Sequence, residues 1–332
     1  MSVLVTGGAG YIGSHTVAEL RSAGEDVVVV DNLTTGHRKA VLDELRVPFY
    51  QCDIRDKQQI IEILQKHAVD AVVHFAANSL VGESVENPLK YYDNNVAGTE
   101  KLLEAMVEAD VLSIVFSSTA AVYGLPERMP IREDDIKEPL NPYGDTKLAI
   151  ERMFRFAHDA YGLSSASLRY FNAAGAHRTL PIGEDHRPES HLIPIVLQVA
   201  LGQRSAISVY GDDYETEDGT CIRDYIHVSD LASAHRLAVN YLRSHESGVH
   251  AFNLGNGNGF SVREVIDVAR KVTGHPIPEV VAPRRAGDPP QLVADASRAR
   301  EVLGWQPAFP ALEDIVLDAW NWHKEHPRGY ED

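Results

Sequence analysis

Apolar residues in the first half of the chain follow two alternating patterns, and each predicts an element. Runs apolar on both faces recur at Val3–Thr6, Val27–Val30, Val47–Cys52, Ala71–Phe75, Ser113–Ser118 and Ser165–Phe171. A strand with no polar face belongs inside a parallel sheet. Between these runs lie stretches of helical period. One spans Tyr11 to about Ala23 and stops at Gly24. A second, Lys57–Lys66, carries Ile60, Ile61, Ile63 and Leu64. A third, Asn95–Ala109, carries Val96, Leu102, Leu103, Met106 and Val107. Repeated strand–helix units imply right-handed crossovers and predict an α/β fold with a Rossmann-type doubly wound parallel sheet.

The pattern changes after about Gly175. Residues 176–225 are rich in turn formers, among them Pro181, Pro188, Pro194, Gly202, Gly211 and Gly219. Helices are predicted over Val228–Arg243, Phe260–Thr273 and Ala311–His323. The second opens with Ser261 and Glu264 in capping-box order. Val249–Leu254 reads as a strand, Pro276–Pro290 as a loop, and His326–Asp332 as a fraying end. The expected domains are 1–175 and a smaller α/β domain over 176–332, with part of 228–254 able to pack on the first.

Composition narrows the functional classes. The length of 332 residues suits two domains. Hydrophobic residues at 44% and charged residues at 24% exclude a disordered or low-complexity chain. A net charge of −17 argues against nonspecific binding of nucleic acid or anionic membrane. Cys52 and Cys221 are too few and too far apart for a disulfide scaffold or a four-cysteine zinc site. No apolar run approaches the ~18–20 residues of a membrane helix, and Val3-Leu4-Val5 follows Met1 with no basic leader. A soluble cytoplasmic protein is the expectation.

Gly7, Gly10 and Gly13 follow the first strand and open the first helix. Glycines there permit a tight turn that brings backbone amides and the helix dipole to a pyrophosphate. The second strand ends in Asp31, placed to hold a ribose 2′-hydroxyl, and Asp53 ends the third, able to flank an adenine. Asp31 would repel a 2′-phosphate, and Asn32 and Leu33 bring no positive charge. The predicted cofactor is NAD rather than NADP.

A second constellation suits proton transfer. Asn141 fits a helix N-cap and Pro142 the first helical position. Tyr143 and Lys147 are then one turn apart on one face. A nearby ammonium, or an oxidised nicotinamide, favours the phenolate, so Tyr143 is a candidate acid/base. Ser117-Ser118-Thr119 ends the fifth strand, at the sheet edge where such folds place their sites, and offers hydroxyls to a reacting oxygen. Tyrosine and lysine at this spacing alone are more often a solvated helix face; the hydroxyls and the glycine turn change that reading.

These motifs resemble the extended short-chain dehydrogenase/reductases and, within them, the UDP-glucose 4-epimerase family. The resemblance covers nearly the whole chain. It is carried by VTGGAGYIGSH (5–15), VVDNL (29–33), HFAA (74–77), VGESVENPLKYYDNNVAGT (81–99), FSSTAAVYG (116–124), NPYGDTKLAIE (141–151), LRYFNAAGAH (168–177), YGDDYETEDGTCIRDYIHV (210–228) and APRRAGDPP (282–290). It implies that retained NAD takes hydride from C4 of a UDP-hexose while Tyr143 accepts the hydroxyl proton. Hydride then returns to the other face of the 4-keto sugar. Thr119 is implied to bond the C4 oxygen, and Lys147 to hold the nicotinamide ribose and lower the phenol pKa. Implied cofactor contacts are Tyr11, Ile12, Asp31, Asn32, Leu33, Thr34, Thr35, Gly36, Asp53, Ile54, Phe75, Ala76, Asn94 and Phe171. Implied substrate contacts are Asn172, Tyr210, Arg223, Arg285 and Asp288. The Arg284-Arg285 pair and Arg223 have the chemistry a diphosphate needs.

The chain departs from the family at three points. Thr119 stands where many members have Ser, and keeps the hydroxyl. Ser79 replaces a cofactor-contacting Lys. Leu292 occupies a position linked to acceptance of N-acetyl sugars and is intermediate in size, so UDP-N-acetylglucosamine is an alternative substrate, as is a UDP-uronic acid. A 4,6-dehydratase would need acids where Ala120 and Ala121 stand. A non-catalytic NAD sensor would have no need of Tyr143 with Lys147. The 15 His are scattered, so no metal site is expected. The resemblance also implies a homodimer through the helices containing Tyr143–Ala160 and Asn95–Ala109, with Leu148, Met153 and Phe156 available for it.

Overall fold

The structure is a computed structural model, and it describes residues 1–245, 247–285 and 288–331. Seven parallel strands form the central sheet: β1 (Ser2–Thr6), β2 (Asp26–Asp31), β3 (Phe49–Gln51), β4 (Val69–His74), β5 (Ser113–Ser117), β6 (Ser164–Arg169) and β7 (Val249–Asn253). Their spatial order is β7-β6-β5-β4-β1-β2-β3. The chain builds outward from β1 to β3 on one side, then crosses back to β4 on the other. The topological switch point therefore lies between β1 and β4, where Val5 pairs with both Val29 and Val73.

Alternation along each strand sorts side chains onto two helical layers. Val3, Val5, Val27 and Val29 face one side with Val17 and Leu20 of the Tyr11–Ser22 helix and with Leu231, Ala238 and Val239 of the Val228–Ser244 helix. Leu4, Val28 and Val30 face the other with Ile60 and Leu64 of the Lys57–Lys66 helix, Leu102 and Met106 of the Gly98–Glu108 helix, and Phe154 of the Pro142–Tyr161 helix. Both faces are covered, which is why the sequence runs are apolar throughout.

The second half builds a separate core. Val196 and Leu197 of the Leu192–Ala200 helix pack with Val265 and Ile266 of the Val262–Thr273 helix and Ile315 and Val316 of the Leu312–Glu325 helix. Small sheets edge this lobe: Asn172–Ala174 with Tyr225–His227, Ile207–Tyr210 with Glu279–Ala282, and Ile222–Arg223 between Phe260–Ser261 and Gln291–Leu292. The Val228–Ser244 helix and β7 return the chain to the central sheet.

Several expectations need correction. The Leu192–Ala200 helix lies in the stretch read as turns; its Pro194 sits in the first turn, where a missing N–H costs nothing. Glu279–Ala282 is a strand inside the predicted loop. The expected helix from Asn95 begins instead as a π-helical turn over Tyr92–Ala97, and the α-helix starts at Gly98. Phe260 pairs in a strand, and the capping box at Ser261 and Glu264 starts the helix at Val262. The end does not fray over 326–331: Tyr330 is buried, its ring stacks on His37 at 4.6 Å, and Arg187 donates to its carbonyl at 2.9 Å. Asp332 lies outside the described residues.

Candidate active site

The carboxyl ends of β1, β2, β4 and β5 converge on one cleft. After β1, Gly7 adopts φ +73°, and a Cβ there would lie 2.6 Å from the amide nitrogen of Ala76. That contact is the switch point itself, because Phe75 and Ala76 leave β4. A Cβ on Gly13 would lie 2.2 Å from the carbonyl oxygen of Gly7. Gly10 caps the helix without a side-chain hydrogen bond, and the first turn holds no acid. The orphan amides at Tyr11, Ile12 and Gly13 suit an anion, so this cradle fits the pyrophosphate of NAD. Tyr11 is held aside by a 2.6 Å hydrogen bond from its hydroxyl to the carbonyl of Gly175.

Asp31 is buried, with one oxygen accepting from the Ala9 amide at 3.0 Å and the other from the Leu33 amide at 2.8 Å. Burial pushes its pKa up, against those two hydrogen bonds. A Cβ on Gly36 would crowd the Asp31 carboxylate at 2.9 Å, so glycine keeps that flank open. Leu33 turns the chain at φ +61°, and Asn32, Thr34 and Thr35 stand exposed beyond it. The Asn32 amide donates to Asp53 at 3.2 Å. The hydrogen bond from Arg55 holds the Asp53 carboxyl down at about 2. Ile54, the next residue, is buried.

At the end of β5 the three hydroxyls divide their work. Ser117 Oγ bonds the Tyr170 hydroxyl at 2.5 Å, and Ser118 Oγ donates to Glu151 at 2.6 Å. Thr119 Oγ1 accepts from the Ala121 amide at 3.1 Å, which leaves its proton for an oxygen in the cleft. Its side chain lies near Tyr143 and favours the phenolate there. The predicted cap is present: Asn141 accepts from the Gly144 amide at 2.9 Å, with Pro142 at the first helical position. One turn on, Lys147 is almost fully buried, and its Nζ donates to the Ser117 carbonyl at 2.8 Å. The same Nζ sits 5.8 Å from the centre of the Tyr143 ring and 4.7 Å from that of Phe116. Burial pushes the Lys147 ammonium down to about 7. The expectation that Lys147 lowers the phenol pKa meets a correction here. Burial raises Tyr143, and only the Thr119 side chain opposes it. Both groups are desolvated, and each resists its charged form.

Most of the other residues expected to meet substrate come from the second lobe. Arg223 forms an ion pair with Asp288, and Leu292 lies beside Arg223 in register. Arg285 stacks over the Tyr210 ring at 4.1 Å. Arg284 is turned away, paired with Asp213 and stacked on Tyr214, so only one member of the arginine pair meets Tyr210. The Asn172 amide group donates to the Asp224 carbonyl at 3.2 Å. Phe171 and Leu292 pack on a cluster of Ala120, Val122, Tyr123, Ile131 and Leu148, which joins the two lobes beneath the reactive groups.

Sequence reading named Asn94 and missed the role of its neighbour. Asn95 is fully buried and donates to Thr146 Oγ1 and the Asn78 carbonyl, both at 3.1 Å, while accepting from the Asn78 amide at 2.8 Å and from Asn94 at 3.0 Å. It ties the loop after β4 to the helix that carries Tyr143 and Lys147. The signal was two adjacent asparagines in a helix-like stretch, now seen as a π-helical turn, a form common at functional sites.

Comparisons with known proteins agree with this geometry. Residues 3–255 match the NAD dependent epimerase/dehydratase family. A UDP-glucose 4-epimerase of Halalkalibacterium halodurans is 62% identical over 331 residues, covering 99% of this chain and 98% of that protein. A crystal structure of UDP-glucose 4-epimerase from Brucella ovis in complex with NAD superposes with a TM-score of 0.93 at 49% identity, covering 96% of this chain and 97% of that one. The Bifidobacterium longum UDP-glucose 4-epimerase in complex with NAD+ and UDP gives a TM-score of 0.93 at 41% identity, covering 99% and 100%. The chain belongs to the NAD-dependent epimerase/dehydratase family, in its UDP-glucose 4-epimerase branch.

Proposed function

We propose that the protein interconverts UDP-glucose and UDP-galactose with NAD kept in place throughout. The observation that carries this is the Thr119–Tyr143–Lys147 set at the carboxyl edge of β5, with the Lys147 Nζ bonded to the Ser117 carbonyl and 5.8 Å from the centre of the Tyr143 ring. When bound, NAD supplies a hydride acceptor that can return the hydride to either face of a 4-keto sugar. Tyr143 takes the C4 hydroxyl proton and later gives one back. Thr119, its lone pair engaged by the Ala121 amide, donates to the C4 oxygen. Lys147 is anchored to the Ser117 carbonyl one turn from the phenol and holds the nicotinamide ribose. Arg223 and Arg285 bind the diphosphate, and Tyr210 offers a partly exposed ring for the uracil to lie against. Ala120 and Ala121 cannot transfer protons, which disfavours water elimination.

A homodimer is part of this reading. Phe156 is 70% exposed on the Pro142–Tyr161 helix, and Leu89 is 78% exposed just before the π-helical turn. Of the residues named from sequence, Leu148 is buried within its own chain and Met153 is partly buried, leaving Phe156 for a partner. We place the protein in the cytoplasm, where two free, buried cysteines remain reduced. No helix among the described residues is long and apolar enough to cross a membrane.

The test is conversion of UDP-galactose by purified protein with no cofactor added. Conversion supports a self-contained redox cycle. Absence of conversion, with and without added NAD, refutes the galactose assignment and turns attention to other UDP-sugars. Sedimentation at a single mass of one chain refutes the dimer.

A further inference from the structure

Scattered histidines gave no reason to expect a metal, yet the fold gathers an E-x-H-x-x-E-x-H segment into one cluster. Glu184, His186, Glu189 and His191 bring their ligand atoms within 4.8 Å of one another. His186 Nδ1 lies 3.2 Å from Glu184 Oε1 and 3.7 Å from Glu189 Oε2. His191 Nδ1 lies 2.9 Å from an oxygen of each carboxylate. A tetrahedral zinc ion, with bonds of about 2.0–2.2 Å, separates its ligands by about 3.3–3.5 Å. The four measured edges bracket that value. We propose that these four side chains form a closed, four-coordinate site for a zinc-class divalent ion.

Two further observations support it. Glu184 is buried, so the paired carboxylates place two negative charges where a divalent ion would neutralise them. His186 Nδ1 is buried close to two carboxylates and makes a hydrogen bond to neither. A nitrogen whose lone pair is directed at an ion shared between them has that geometry. Two imidazole nitrogens with two carboxylate oxygens suit zinc or cobalt, whereas magnesium and calcium prefer six or more oxygens. With all four positions filled by protein, the ion has a structural role. His186 packs edge-on against Tyr11 of the glycine turn, ring centres 6.2 Å apart, and the carbonyl of Asp185 bonds His37 at 3.1 Å. The ion would clip the 184–191 loop of the second lobe over the cofactor turn.

The competing state is two imidazole protons in place of the ion. Metal binding separates them and does not depend on turnover. Tag-free full-length protein, stripped with a chelator, is titrated with zinc against a chromophoric chelator and, separately, with cobalt. The expected result is one zinc per chain and the intense visible bands of tetrahedral cobalt. His186→Ala and His191→Ala each weaken uptake by at least about 100-fold, and the milder Glu189→Gln by at least about tenfold, with circular dichroism unchanged. Wild-type uptake no tighter than that of His186→Ala or His191→Ala, or a pale octahedral cobalt spectrum, overturns the site.

Discussion

The two sides of the cleft are built by opposite means. The cofactor side is backbone: a glycine turn, bare helical amides and carboxylates held by nearby amides, all encoded within a few residues of a strand end. The side proposed to hold the nucleotide sugar is side chain: Arg223 meets Asp288, and Arg285 meets Tyr210, across 65 and 75 residues of sequence. Local encoding makes the first side rigid and intolerant of added atoms. Long-range assembly makes the second side adjustable, one contact at a time.

The sharpest way to break this contrast is a single methyl group. Gly13→Ala places a Cβ 2.2 Å from a backbone oxygen that cannot swing away. We expect a loss of at least about 3 kcal/mol of stability and no retained NAD, read by thermal melting and cofactor content. At Gly10 the nearest atom would be 3.3 Å away. Gly10→Ala should therefore fold and only loosen NAD. Equal tolerance at both positions would show that the turn is not rigid.

Tyr143→Phe removes one oxygen from the junction of the two sides. Turnover should fall by about 10²–10⁴-fold while NAD stays bound. Undiminished turnover would remove Tyr143 from the proton path.

Lys147 sharpens the comparison through pH. Its folded value near 7 lies below that of an exposed lysine, so from about pH 7 to 10 the unfolded chain holds the extra proton. Stability of the NAD-free protein should rise across that window as the buried charge is lost. Lys147→Met should flatten the rise, read by denaturant melts at pH 7 and pH 9.5. An identical slope in both proteins would place the lysine in contact with solvent.

On the adjustable side, effects should be smaller and confined to substrate. Arg223→Ala removes a charge-assisted contact of about 1.5–3 kcal/mol, a rise in KM of about 10–100-fold with NAD content unchanged. Loss of NAD from this variant would mean that the two sides are one structural unit.

The same division explains what the sequence disclosed. Strands apolar on both faces, the glycine turn and the Asn141-Pro142 helix start are local patterns with local causes, and the structure realises each of them. The Leu192–Ala200 helix was hidden because its proline looked like a breaker, although a first-turn proline is tolerated. The burial of Tyr330 was hidden because its partners, His37 and Trp322, arrive from elsewhere in the chain. Asn95 announced itself only as polarity in a helical stretch, and its four hydrogen bonds needed the loop after β4 and the Tyr143 helix in place. The upward pKa of Tyr143 depends on desolvation, which no spacing reports.

Leu292 gives the finest comparison, because it belongs to both sides. It pairs with Arg223 in the second lobe and packs with Phe171 on the cluster beneath Thr119. Leu292→Ala removes bulk at the position proposed to line the sugar, without touching a charge. UDP-galactose turnover should change less than about threefold, since no reacting group moves. The ratio of kcat/KM for UDP-N-acetylglucosamine over UDP-glucose should rise by about tenfold, the scale on which a few methylenes discriminate. A rise in the ratio would mean that pocket volume alone tunes the sugar, as expected of a side assembled from independent contacts. An unchanged ratio would mean that Leu292 serves only the packing between lobes, and that specificity is set on the rigid side.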